Sequence, residues 1–424
     1  MVAFFPQGVS EGNFGWLFPT ISNITNIFDN FCILSLTYRS NGFVTMLAPL
    51  RDYLSPKDPK SSLLLCVAKE HYLTRMSVTI NPNKPNFEET QWIVSEDVNV
   101  EHLLDVFTTI DPDSGDIWDG CADFIHHINW HKGRHVILGP KIEGLPDDHS
   151  SKPRCLYELS RLFSNVGNHV ECKRLRTHTL KLWRERGNDR GVAQMLRHLS
   201  DTNRMMGLRE EGIEQAKEAV AIFEWLGKTL EQARSLIKLA HLLRSDMQLN
   251  AAEDAAHRAV TLIPEKGQEF LLCESHRLLG IIYKSKRDTK KAIYHYEVAL
   301  GIASAPNWHD ALFWINYNLA DLFRDDGRFD EAHARIELAK SHAVDSAYNL
   351  GRATELEATV WYKQHRFEEA RSEALRAADI YEKLGSAAGV EDCRVLLKHI
   401  EGRSGSSCEF LQTVPSLARS NLPL

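Results

Sequence analysis

Leu159, Leu199, Leu239, Leu279 and Leu319 stand at forty-residue intervals, each followed by a small residue: Ser160, Ser200, Ala240, Gly280 and Ala320. Nineteen residues beyond those come Thr179, Ala219, Ala259, Ala299 and Ala339, and a sixth, slightly short copy carries Ala358 and Ala377. A fixed period of this length confines a chain to stacked units, each covering the apolar face that its neighbour cannot bury alone. In the fourth copy, CESHRLLGIIYKSKRDTKKAIYHYEVALGIA, apolar residues recur at three- and four-residue steps on both sides of Lys286-Arg287-Asp288. That is the pattern of two amphipathic helices around a turn. Gly280, Ala292 and Ala299 let the two helices approach closely, and Tyr283 and Tyr296 fill the space that remains. Gly167, Gly207 and Gly327 break the chain at turns, while Asp288, Asn250 and Asp330 stand where they can cap or precede the second helices. The expected fold is all-α: a solenoid of about six hairpins over 151–403, closed by a capping helix over 390–401.

Leu279-Gly280, Tyr283, Ala292, Tyr296 and Ala299 resemble the tetratricopeptide repeat, as do Leu319-Ala320, Phe323, Gly327, Ala332 and Ala339. The sixth copy matches through Ala358, Trp361, Ala370 and Ala377, with Glu357 in place of the leucine. The first two are degenerate, with Cys172, Gly212 and Asn203 at motif positions. The resemblance implies a right-handed solenoid whose first helices line a concave groove, and the forty-residue period implies helices about a turn longer than usual. Ahead of the repeats, Val44-Thr45-Met46-Leu47-Ala48-Pro49-Leu50-Arg51-Asp52-Tyr53 resembles the end of the winged-helix region of STAND-type NTPases of the NB-ARC and NACHT kind. Leu47 replaces their nucleotide-sensing histidine. The order of segments resembles fungal, NLR-like members of that group. Their NTPase domain is not represented: no GxxxxGK[ST] occurs, and LGPKIEG at 138–144 lacks the Lys-Ser/Thr pair. The expected divisions are therefore 1–40, unassigned; 41–90, a winged-helix-like remnant and linker; 91–150, a helical pre-repeat region; 151–403, the array; and 404–424, a Ser- and Pro-rich disordered tail.

Charge and composition narrow the function class. A net charge of −7 argues against a general nucleic-acid binder. Eight cysteines without a CxxC pair suit reduced thiols better than a disulfide framework or zinc ribbon. No apolar run is long enough to span a membrane, and the N-terminus lacks signal-peptide character, so a cytoplasmic location is expected. Cys121, His126, His127, His131 and His135 raise the possibility of a metal-dependent hydrolase centred on His127 and His131. The cluster lacks the glutamate of HExxH, and Trp118, Phe124, Ile128 and Trp130 point to packing instead. No cofactor motif and no catalytic constellation stands out, and a non-enzymatic protein-binding scaffold is expected.

The groove supplies the candidate site. Four residues past the small positions stand Ser164, Arg204, Arg244, Lys284, Arg324 and Tyr362, so four successive copies place a cation at one register. Arg197 and Arg277 lie nearby and widen this stripe, and His241 and Tyr317 complete the expected partner-binding set. A ladder of this kind attracts an acidic protein or peptide segment. The competing expectation is that the cations pair with local acids, namely Asp201, Asp321, Asp325 and Asp326. Chaperone-clamp residues are not matched: Tyr157 with Arg161, Arg197 with Asp201, and Ile237 with His241 occupy those places.

Overall fold

The computed structural model describes residues 8–13, 22–46, 73, 97–131, 137–264, 266–306, 308–343 and 346–404. They form two compact units that divide between Thr202 and Asn203.

The first unit opens with strand β1 (Val9–Ser10), helix α1 (Ile24–Ile33) and strands β2 (Thr37–Ser40) and β3 (Phe43–Met46). The strands form an antiparallel sheet in the order β1-β3-β2. Asn41 and Gly42, both at positive φ (52° and 80°), join β2 to β3. This is the two-residue hairpin chemistry that Asn-Gly favours. Residues 1–40, left unassigned on sequence grounds, thus contain regular structure. Val9, Phe28 and Val44 enter a core shared with helices α2 (Asp97–Ile110), α3 (Gly115–His131), α4 (Gly139–Gly144), α5 (Lys152–Asn165) and α6 (His169–Glu185). The buried Asn99 side chain donates to the Gly8 carbonyl at 2.6 Å and ties the sheet to α2. Of the winged-helix-like stretch, Val44–Met46 belong to β3, while Leu47 to Tyr53 and the tail beyond 404 lie outside the described residues.

Helix α7 (Asp189–Met205) carries the division between the units. The second unit continues with α8 (Arg209–Trp225), α9 (Thr229–Ser245), α10 (Leu249–Leu262), α11 (Glu269–Ser285), α12 (Thr289–Ser304), α13 (His309–Asp325), α14 (Phe329–His342), α15 (Ala347–Lys363), α16 (Phe367–Lys383) and α17 (Ala387–Ser404). The first helices α9, α11, α13 and α15 are each 17 residues long, as the forty-residue period requires. Ala240, Ala320 and Ala358 on first helices, and Ala259, Ala299, Ala339 and Ala377 on second helices, are fully buried. The small residues therefore mark where the helix axes come closest. Each second helix also packs on the next first helix. Successive first helices touch, while successive second helices among the described residues do not come as near. The first helices consequently line the inner side of this unit's curve. Helix α17 packs on α16 with Cys393, Leu396 and Ile400 buried.

The turns repeat as strictly as the helices. Gly207, Met247, Arg287, Gly327 and His365 all have φ between +61° and +76°, just past the ends of first helices. In each case two backbone bonds close the helix, as in Met247 N–H to Arg244 (3.0 Å) and Gln248 N–H to Leu243 (2.9 Å). This is the Schellman arrangement, in which glycine is the unstrained occupant. Asp288 caps α12 by accepting from the Lys291 N–H at 3.1 Å, as expected. Asn250 and Asp330 instead lie inside the first turns of α10 and α14.

The left-handed turns predict opposite effects at equivalent positions. Met247→Gly should raise the denaturation free energy by about 0.5–1 kcal/mol, and Gly207→Ala should lower it by about 1 kcal/mol. Chemical denaturation of both variants checks this. Losses of equal size at the two positions would contradict the turn assignment.

Candidate interaction face on the first helices

Four positions of each first helix, spaced three, four and three residues apart, share one side of the helix. In α9 they are Arg234, Ile237, His241 and Arg244. The matching sets are Glu274, Arg277, Ile281 and Lys284 in α11; Trp314, Tyr317, Asp321 and Arg324 in α13; and Arg352, Glu355, Thr359 and Tyr362 in α15. Contacts between neighbouring sets confirm the alignment: Lys284 pairs with Asp321, Arg324 donates to Thr359 (3.2 Å), and Arg352 donates to the Tyr317 hydroxyl (3.1 Å).

Towards the C-terminal end of this face, positive charge is matched. Asp321 takes Lys284 from one side and Arg324 (2.6 Å) from its own helix, and Asp325 adds contacts at 3.0 and 2.7 Å. Burial pushes the Asp321 carboxyl up, yet Arg324 and Lys284 more than offset it and hold the group below its ordinary range. Arg352 faces Glu355, whose carboxylate also accepts from the Tyr381 hydroxyl at 2.9 Å. Burial, opposed by the Arg352 charge, pushes the Tyr317 phenol up to about 12. Two of the four ladder cations, Lys284 and Arg324, are thus engaged by local acids, Asp321 and Asp325. The continuous ladder expected from the register is corrected to that extent. Arg277 is likewise buried and forked onto Glu274, at 2.6 Å for the shortest contact.

The N-terminal sector of the same unit has another character. His241 is driven well below the ordinary imidazole range by burial and by the charges of Arg204, Arg244, Lys238 and Arg277. Burial also lowers Arg244; the Tyr296 hydroxyl opposes this, and Arg204 and Arg277 add to it. Burial is the larger cause of both shifts, and the neighbouring positive charges add to it. Tyr296 of α12 is completely buried, its hydroxyl without a hydrogen-bond partner among the described residues. An unpaired buried hydroxyl typically costs ~1–3 kcal/mol. Its ring presses on Gly280, where an added Cβ would stand 2.4 Å from the ring. Sequence reasoning assigned Tyr296 to packing alone; the glycine opposite it was the available signal.

Arg197, the remaining predicted residue, belongs to the first unit. There His198 meets the Tyr157 hydroxyl at 2.8 Å and is held well below its ordinary range by burial and by Arg197, Arg176 and Arg161. In the proposed metal cluster, His126 meets Glu158 at 3.1 Å and Arg161 at 2.6 Å, and His127 is 9% exposed. The side chain of His131 and all of His135 lie outside the described residues. Among the described residues no group of three His, Cys, Asp or Glu is placed to hold a metal ion, and no helix is long and apolar enough to cross a membrane. Burial raises the thiols of Cys273 and Cys393 to about 12, which leaves them unreactive.

No family model and no curated protein matches the sequence. Solved structures do. A STAND protein with a tetratricopeptide repeat sensor from Pyrococcus horikoshii superposes with a TM-score of 0.54 at 12% identity, over 96% of this chain and 59% of that one. This chain therefore spans well under two thirds of that protein's length. A Rap protein complexed with competence and sporulation factor gives 0.49 at 12% identity, over 78% and 98% of the two chains. The Cut9 and Hcn1 assembly of APC/C gives 0.45 at 16% identity, over 83% and 58%. At these identities the likeness concerns the fold, an α-solenoid of tetratricopeptide-like repeats.

The His241 environment predicts a pH dependence. Its folded-state pKa lies below the unfolded value near 6.5, so the unfolded chain binds the proton first and stability falls as pH drops through that value. Between pH 7 and 5 the loss from one such histidine is at most about 2 kcal/mol. His241→Gln should flatten the fall by up to that amount in denaturation curves taken at both pH values. An unchanged fall would contradict the assigned environment.

Proposed function

We propose that the chain is a non-enzymatic scaffold that holds an acidic protein or peptide segment, extended along the first helices of its second unit. The observation that carries this reading is the register of cations on that face: Arg204, Arg244, Lys284 and Arg324 recur at one position in the last turns of four successive first helices. A preformed helical face needs little reordering on binding, so complementary charge translates directly into affinity and association rate. Arginine suits the task because its fork meets a carboxylate with two parallel hydrogen bonds.

A second reading, that the chain supplies ligand sensing to a separate STAND ATPase, draws support from the likeness over 96% of the chain to a STAND protein with a repeat sensor. Under it, residues 41–150 make the contact, and nucleotide turnover accompanies the chain only in a complex. Turnover by the purified chain alone would contradict both readings.

Selection of displayed random peptides on the full chain tests the scaffold reading. Enriched sequences should be rich in Asp and Glu. Their affinity should fall about thirtyfold, or about 2 kcal/mol, for the Arg204→Glu, Arg244→Glu double variant. Enrichment without acidic residues, or equal binding to the double variant, would overturn it.

A further inference from the structure

Three histidines from three consecutive helices of the second unit meet: His257 of α10, His276 of α11 and His295 of α12. His295 is buried, with its ring parallel to that of Tyr283 (interplanar angle 4°, centroids 5.3 Å apart) and 5.9 Å from that of His257. The Nδ1 atoms of His276 and His295 are 3.1 Å apart, and their ring centroids 5.3 Å. That centroid separation is close to the N···N distance plus one ring radius on each side, so the two nitrogens face each other almost head-on. Zinc needs about 2.0–2.1 Å to each imidazole nitrogen, and nitrogens facing each other at this separation leave no place for it. They leave a place for one proton. In a neutral imidazole one ring nitrogen donates and the other accepts, so one ring must carry its proton on Nδ1 and the other on Nε2.

The neighbouring charges are fixed by contacts of their own. Glu253 of α10 accepts from the Tyr283 hydroxyl at 2.6 Å and pairs with Lys286 of α11. The one hydroxyl proton is thereby used, so Nε2 of His257, 3.1 Å from the same oxygen, donates to it. Lys291 of α12 lies over the Tyr283 ring. α13 also packs on α12; its Asp321 acts on the adjoining Tyr296 and is held by Lys284 and Arg324. α9 packs on α11, and its Lys238 and Arg244 act on His241. Burial, then His276 and His257, push the His295 imidazole down to about 4, with Glu253 opposing and Lys291 adding least. Burial and then His257 lower His276.

We infer that His276 and His295, with His257 beside them, form an acid-sensitive latch between α11 and α12, closed by one shared proton and parted when both rings are protonated. A first added proton is tolerated, because a charged ring still donates to a neutral one. A second sets N–H against N–H with like charges on both rings, and the contact is lost. His295 directly precedes Tyr296, whose ring fills the space left by Gly280. Withdrawal of His295 therefore moves that ring as well and loosens the pairing of the two helices. The inference stands apart from the acidic-segment reading.

Amide hydrogen exchange of the full chain at pH 6 and pH 5, corrected for intrinsic rates, tests the latch. Freed histidines titrate near 6.5, so the opened pair holds about two protons in this range and the closed pair fewer. Protection of the α12 amides should fall by more than about tenfold, which requires more than one proton taken up on opening. Protection of α16, a helix without histidine, should change less than about threefold. In His276→Asn, whose amide can still donate to His295, the fall in α12 should shrink below about tenfold, as one titrating ring allows. The same fall in parent and variant would reveal a lone buried histidine and overturn the latch. So would no fall, or an equal fall in α12 and α16, which would be general acid unfolding. A readout on the parent chain alone is the nitrogen shifts of its labelled histidines at pH 7. One of the two rings should carry its proton on Nδ1; protons on Nε2 in both would overturn the inference.

Discussion

Close approach of paired helices at a few side-chain-poor positions is the constraint on which the second unit depends. Ala240 and Ala320 on first helices, and Ala259, Ala299 and Ala339 on second helices, are all fully buried. A larger residue at any of them would push two helices apart and propagate to the next hairpin, because each second helix also packs on the following first helix. Gly280 takes the principle furthest. Where the other copies have alanine or serine, this one has no side chain, and the Tyr296 ring moves into the gap. The feature that tightens the packing also carries a hydroxyl towards the charged face.

The turns account for the recurrence of the cations. In four successive first helices a left-handed residue just past the end bonds its N–H back to the carbonyl three residues earlier, and that carbonyl belongs to Arg204, Arg244, Lys284 or Arg324. A cation in the last turn of a helix offsets the partial negative charge of its unpaired carbonyls, worth roughly 0.3–1 kcal/mol at an exposed site. Fold stability alone is thus a reason for a basic residue at this register. What distinguishes one cation from another is its neighbours. Asp321 and Asp325 convert Lys284 and Arg324 into structural ion pairs.

Much of this architecture was legible because repetition amplifies weak signals. The Leu-small pairs, the glycine turns and the forty-residue period located the hairpins, and the helix expected over 390–401 lies inside α17, Ala387–Ser404. Met247, Arg287 and His365 at left-handed turns were not legible, since each copy shows a different residue there and only backbone geometry unites them. The N-terminal sheet was missed although Asn41-Gly42 signalled its hairpin, because strands of two to four residues offer too few alternations to stand out. At the interaction face, the register of the cations was readable and the acids able to pair with them were identifiable. Which cations they would take depended on contacts across thirty-seven residues, such as Lys284 with Asp321. Tyr296 escaped notice because a motif aromatic is normally satisfied by packing, and only its hydroxyl departs from that rule.

The most direct test of the account is a crystal structure of the full chain with hexaglutamate bound. The account predicts peptide density along the inner side of the first helices, with its carboxylates at the last-turn cations. Density confined to the second helices would contradict it.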